Sequence, residues 1–143
     1  MLDAVGEDAG IVTGGFDAPG ACWIAASVDD AMAGVAGIET IVDAAVIRSL
    51  GVADTMRRRG IGSALIKAAR KAAHTRGARR LYALGRRGEE YLLHFGFERV
   101  ADAEMVEDLA GTFTADYLRA HAGEFERLDS LRLDISRDGV IER

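Results

Sequence analysis

The sequence predicts a mixed α/β fold, a mostly antiparallel sheet flanked by helices, and three observations predict it. Strand-like runs separated by short aspartate-bearing breaks fill residues 21–52, a long alanine-striped helix follows, and short strands and helices then alternate to the end. With 143 residues, 49% hydrophobic content and one proline, the chain is long enough for one domain with one core (1–143) and too short for two.

Residues 1–20 hold Gly6, Gly10, Gly14, Gly15, Pro19 and Gly20, a density that predicts a loosely structured segment with at most a short strand at Ile11 to Thr13. From there Cys22 to Val28, Met32 to Val42 and Ala45 to Val52 read as strands of an antiparallel meander, turned at Asp29-Asp30 and near Asp43. Gly60 to Arg76 is the clearest helix. Ile61, Ala64, Leu65, Ala68, Ala69, Ala72 and Ala73 recur at helical spacing, Lys67, Arg70, Lys71 and His74 fall outward, and Gly77 supplies the stop.

Arg80 to Leu84 is the next strand, followed by a short helix from about Glu89 to His94 closed by Gly96, and a strand at Phe97 to Val100. Asp102 or Ala103 to Ala110, and Ala115 to Ala122 behind Thr114, read as two short helices broken by Gly111 and Gly123. The last strand is Leu131 to Ile135, whose alternation predicts one buried and one wetter face.

No run approaches the roughly 20 apolar residues of a membrane span, and the N-terminus lacks a basic start and apolar run, so a cytoplasmic protein without membrane contact is expected. Cys22 is the single cysteine, and His74, His94 and His121 are scattered, so no internal disulfide and no metal site are expected. The net charge of −5 hides an asymmetry: residues 57–87 hold eleven of the 18 Lys/Arg and none of the 23 Asp/Glu. A basic belt on an acidic protein suits a compact anion better than an extended nucleic acid, which the rest of the surface would repel. Tyr82 is the only aromatic in the belt, which further disfavours single-strand binding.

Between Val52 and the long helix lies Arg57-Arg58-Arg59-Gly60-Ile61-Gly62, a strand-loop-helix junction with glycines where backbone approaches something closely. Unpaired amides and the helix dipole favour an anion there, and the arginines add charge; a pyrophosphate suits such a pocket. Strand, loop, motif, long helix, strand, short helix and a Gly-Phe strand follow in that order. In this the chain resembles the GNAT superfamily of acyl-CoA-dependent N-acetyltransferases, whose Arg/Gln-x-x-Gly-x-Gly/Ala signature is met by Arg57, Gly60 and Gly62. A second element, Glu89-Glu90-Tyr91-Leu92-Leu93-His94-Phe95-Gly96-Phe97, is similar to the short helix and Gly-Phe of that family. Ala36 to Glu39 and Ala44 to Leu50 look like the small branch associated with arsenic resistance.

The resemblance implies a strand at Ile47 to Val52 splayed from one at Leu81 to Leu84, with the pantetheine arm of acetyl-CoA in the gap. It implies binding by the backbone of Leu50, Gly51 and Val52, and of the pyrophosphate by the amides of Arg58, Arg59, Gly60, Ile61, Gly62 and Ser63. The expected reaction is direct attack of a small-molecule or amino-acid amine on the thioester, with backbone near Leu50 as the oxyanion donor. The family's glutamate base falls at Val46 and its tyrosine at Leu92, so both are missing. Glu39, through water, and Tyr91, about 100° around a helix from Leu92, are the candidate substitutes. A solvated Glu39 and a half-buried structural Tyr91 are the plainer readings of both.

Arg48, sharing a strand face with Val46 and Leu50 by alternation, pairs either with an internal carboxylate such as Glu39 or with an anionic group of the substrate. The usual first strand and two helices of the family have little room before Ala21. This shortened N-terminal part leaves the acceptor pocket open, or completed by residues 102–123, or by a second subunit in a homodimer. The alternative function is a non-catalytic CoA-binding or regulatory module.

Overall fold

A computed structural model describes residues 20–53, 60–88 and 90–136, apart from the side chain of Ser49. Its sheet is built from β1 (Ala21–Val28), β2 (Ala31–Ile41), β3 (Ala44–Val52), β4 (Arg80–Arg86), β5 (Glu98–Arg99) and β6 (Leu128–Asp134). The spatial order is β1, β2, β3, β4, β6, β5, with only β3 and β4 parallel. Helix α1 (Ile61–Thr75) connects that parallel pair, while α2 (Asp102–Asp108) and α3 (Phe113–Ala120) lie in sequence between β5 and β6.

Asp29 and Asp30 both have positive φ (52° and 67°), the two-residue turn whose twist matches the flanking strands. Ile41 pairs with Ala44, so the second hairpin is equally tight, with Val42 at φ 50°. Both turns stand at the expected breaks. The strand Ile11 to Thr13 proposed from the sequence lies outside the described residues.

Two cores form because the sheet is covered on both faces. On one face α1 lays Ile61, Leu65, Ile66, Ala69 and Ala73 against Ala36, Ile38, Ile47, Leu81 and Leu133. Ala64, expected in the buried stripe, is exposed, and Ile66 takes the buried place instead. Gly77 ends α1 at φ 94°, with Ala78 N donating to Ala73 O and Gly77 N to His74 O, the paired bonds of a glycine-stopped helix. On the other face α2 and α3 bring Met105, Leu109, Ala115 and Leu118 over Ala44, Val46, Tyr82 and Leu84.

Three local expectations are corrected. The short helix expected at Glu89 to His94 is a 3-10 turn, Leu92–Phe95, closed by Gly96 at φ 97°. The cap of α3 is Thr112, whose Oγ1 accepts from Ala115 N at 3.0 Å, so the helix starts two residues earlier than a Thr114 cap implies. Thr114 is inside it, fully buried. The last strand begins at Leu128 because Leu128, Ser130 and Arg132 alternate with Leu131 and Leu133 between the two faces, extending the pairing with β4 back to Arg86.

Candidate functional site

β3 leaves β4 half way along its length. The two strands pair from Ala44–Arg80 to Ile47–Ala83 and no further, while β3 continues to Val52 on its other neighbour, β2. Across the gap β4 continues to Arg86 paired with β6. The β4-side edge of Leu50, Gly51 and Val52 therefore faces a cleft with no strand filling it among the described residues.

A bulge sits at the point of departure. Ile38 pairs with Ile47 and the adjacent Gly37 pairs with Ser49, so Arg48 is the extra residue of the bulged strand. The insertion reverses the alternation beyond it. Val46 belongs to the core under α2 and α3, whereas Leu50 and Val52 point toward α1. The expectation that Arg48 and Leu50 share a face is corrected by this bulge.

Helix α1 starts at the open end of the cleft. Its cap, Gly60, is left-handed (φ 77°, ψ 11°), no side chain among the described residues bonds the first turn, and no acidic residue lies in it. Its first intrahelical bond is Ala64 N to Gly60 O at 3.0 Å, so the amides of Ile61, Gly62 and Ser63 precede the helical ladder. Such an end attracts an anion. A Cβ at Gly60 would meet no atom within 4 Å, so glycine answers to the backbone angle there. Arg57, Arg58 and Arg59 lie outside the described residues.

Gly62 differs, because a Cβ there would come within 2.6 Å of the Tyr91 hydroxyl. Tyr91, 37% exposed and edge-on to Phe95 at 5.4 Å, reaches from the segment after β4 to the first turn of α1. Its neighbour Leu92 is buried, with Cδ1 close to Gly85.

Glu39 and Arg48 are both fully buried on the α3 side of the sheet. One Glu39 oxygen accepts from Phe113 N at 2.8 Å; the other accepts from Thr114 N at 2.9 Å and from the Thr114 hydroxyl, and lies 3.9 Å from Arg48 Nη1. The Arg48 guanidinium stacks near two rings, 5.9 Å from the Trp23 centroid and 5.2 Å from that of Phe113. Burial pulls the Arg48 pKa below its ordinary value and the Glu39 charge offsets part of that. Of the two partners foreseen for Arg48, the internal carboxylate is the one beside it. The tie between Glu39 and α3 was not anticipated; its signal is only the Thr-Phe-Thr at 112–114, which says nothing of a strand 74 residues away.

Part of the basic belt stands at the two ends of β4, while Lys67, Arg70 and Lys71 lie on α1. At one end Arg80 donates to Asp108 through Nε at 2.7 Å and Nη2 at 3.0 Å, and to Asp43 at 2.8 Å. Tyr82 donates to Asp108 at 2.6 Å. Hydrogen bonding from Arg80 holds the Asp108 carboxyl below the usual carboxylate range, and burial, then Asp108, pushes the Tyr82 phenol up. At the other end Arg87 donates to the backbone oxygens of Phe125 and Glu126. Among the described residues no group of three or more His, Cys, Asp or Glu is placed to hold a metal ion, and no helix is long and apolar enough to cross a membrane.

Comparison with known proteins agrees with this layout. Residues 6–97 match the model of the acetyltransferase (GNAT) family. No curated protein matches. N-acetylglutamate synthase from Neisseria gonorrhoeae, solved with coenzyme A and N-acetyl-glutamate, superposes with TM-score 0.64 at 23% identity, over 78% of this chain and 25% of that one. The chain thus spans about a quarter of that enzyme's length. Rv2747 from Mycobacterium tuberculosis, solved with CoA, gives 0.63 at 18% identity over 78% and 75% of the two chains. The ribosomal-protein-S18-alanine N-acetyltransferase from Escherichia coli gives 0.59 at 19% identity over 82% and 70%. At these identities the likeness is one of fold. The residues matched to the family model end before β5, so β5, α2, α3 and β6 follow the matched stretch.

Proposed function

This chain belongs to the GNAT acetyltransferase family, and from that premise we propose that it transfers an acetyl group from acetyl-CoA to the amine of a small molecule or amino acid by direct attack. The observation that carries the reading is the cleft itself: β3 departs from β4 after Ile47, and a helix start whose glycine cap has no side chain to bond it stands at its open end. The pantetheine arm would lie along Leu50, Gly51 and Val52. The pyrophosphate would lie at the amides from Arg58 to Ser63, with Arg57 beside them. Gly60 and Ile61 shape the turn into the helix.

The reaction needs little from side chains. The neutral amine nitrogen attacks the thioester carbon, negative charge gathers on the carbonyl oxygen, the C–S bond breaks, and the amine proton is released as CoA leaves as thiol. Backbone at Leu50 is the oxyanion donor in this reading. A thiol with pKa near 8.5 leaves without an assigned acid.

Glu39 fits a structural post better than that of a base, because its oxygens are already engaged by three donors and it is closed from solvent. Tyr91 fits a contact to the donor near the first turn of α1 rather than a proton source for the sulfur. Arg48, buried against Glu39, fits an internal ion pair rather than an anchor for the acceptor. In this reading α2 and α3, which lie over the Val46 face of the sheet, would border the acceptor side.

Purified protein incubated with acetyl-CoA and a panel of amines and amino acids should release free thiol in step with acetylated product. Stabilisation by CoA without acceptor-dependent thiol release over a broad panel would replace this reading with a CoA-binding module.

A further inference from the structure

We propose that Glu39 and Arg48 are positioning residues that hold the donor cleft open by tying α3 to the bulge in β3; this rests on the reading of that cleft as the acyl-CoA site. Three observations converge on it. First, the bulge falls on the residue that follows the last β3–β4 pair, so the extra residue and the departure of the strand are one event. Second, that residue is Arg48, and its side chain is held between the Trp23 and Phe113 rings beside the Glu39 carboxylate. Third, Glu39 binds α3 through the amides of Phe113 and Thr114 and the Thr114 hydroxyl.

The mechanics follow from the period of a strand. Removing a one-residue bulge slides everything beyond it by one place and turns each side chain to the opposite face. Here that would swing Leu50 and Val52 out of the core under α1 and move the backbone edge assigned to the pantetheine arm. Register is therefore secured by whatever keeps Arg48 on the α3 side. A guanidinium in this setting stays only with its negative partner, since burial of an uncompensated charge is strongly unfavourable. Glu39 supplies negative charge beside it and is at the same time the anchor of Phe113, whose ring covers Arg48. Loosening Glu39 frees α3 and the bulge together. The arrangement makes α3, which follows the stretch matched to the family model, a determinant of donor binding.

The test is CoA binding by calorimetry on the full chain at 25 °C, beside thermal melting and circular dichroism, for wild type, Glu39→Gln, Glu39→Asp and Arg48→Met. Glu39→Gln keeps the size, accepts from α3 through one oxygen only, and removes a negative charge beside Arg48. It should stay folded and bind CoA roughly tenfold more weakly, with Arg48→Met alike and Glu39→Asp partly restored. Thr114→Val, which keeps shape and removes one donor, should weaken binding by about threefold and serves where a Glu39 variant does not fold. Variants that melt earlier yet bind CoA as wild type does would overturn the proposal while leaving the donor site intact. Wild type that fails to bind CoA would overturn the site and the proposal with it.

Discussion

The Tyr91 hydroxyl occupies the space that a side chain at Gly62 would need, 2.6 Å from where its first carbon would stand. The contact joins the segment after β4 to the helix after β3, across the open end of the cleft. Gly62→Ala should therefore displace Tyr91 and weaken acetyl-CoA binding by roughly tenfold. In a Tyr91→Phe background the same alanine should cost much less, because the clashing atom is gone. Equal losses in both backgrounds, measured by calorimetry, would contradict the contact.

Tyr91→Phe alone separates two roles. If the hydroxyl touches the donor, KM for acetyl-CoA should rise about threefold with kcat little changed. A proton donor predicts instead a fall in kcat with loss of the alkaline limb of the pH profile. Steady-state kinetics from pH 6 to 10 would decide.

Gly60 makes a different demand from Gly62. At φ 77° with empty space around its α-carbon, only the backbone angle is at stake. Gly60→Asn should lower stability less than Gly60→Val, by a margin of about 1 kcal/mol, since asparagine tolerates the left-handed region and β-branched residues do not. Chemical denaturation of the two variants measures this.

Val46 shows why replacing the family's missing base would fail. Its side chain is fully buried in the core with Tyr82, Met105 and Leu118, under α2 and α3. Val46→Glu should destabilise the protein by about 3 kcal/mol or more and give no gain in rate. A folded variant with faster turnover would mean that this face opens to the acceptor.

Asp108 carries a pH signature. Its carboxyl is held below the ordinary range by Arg80, so it stabilises the fold above the unfolded pKa of about 3.9, and that contribution is lost as pH falls through the lower, folded value. Wild type should melt well above Asp108→Asn at pH 7, and the gap should narrow below about pH 4. A gap that stays constant to pH 2 would remove Asp108 from the account.

Much of this was legible because local chemistry and long-range order coincide. Asp29-Asp30 marks a turn, the stripe through Leu65, Ala69 and Ala73 marks α1, and Gly60 marks where it starts. The bulge at Arg48 was not legible, since an inserted residue leaves no trace in Ala-Val-Ile-Arg-Ser-Leu-Gly-Val, where both faces are apolar. Nor could spacing decide between Thr112 and Thr114 as the cap of α3. That choice is made by Glu39, which needs the second threonine for itself.

β6 enters the sheet between β4 and β5, although it is the last of the three to leave the ribosome. Until residues 128–134 arrive, β4 has a bare edge and β5 has nothing to pair with. Completion of the sheet is thus a late, non-local step that waits for α2 and α3 to be synthesised, the kind of closure that slows folding. A nascent chain halted near residue 100 would present Leu81 to Leu84 as an open template for another chain, so these carboxyl-terminal residues also guard the amino-terminal half against self-association.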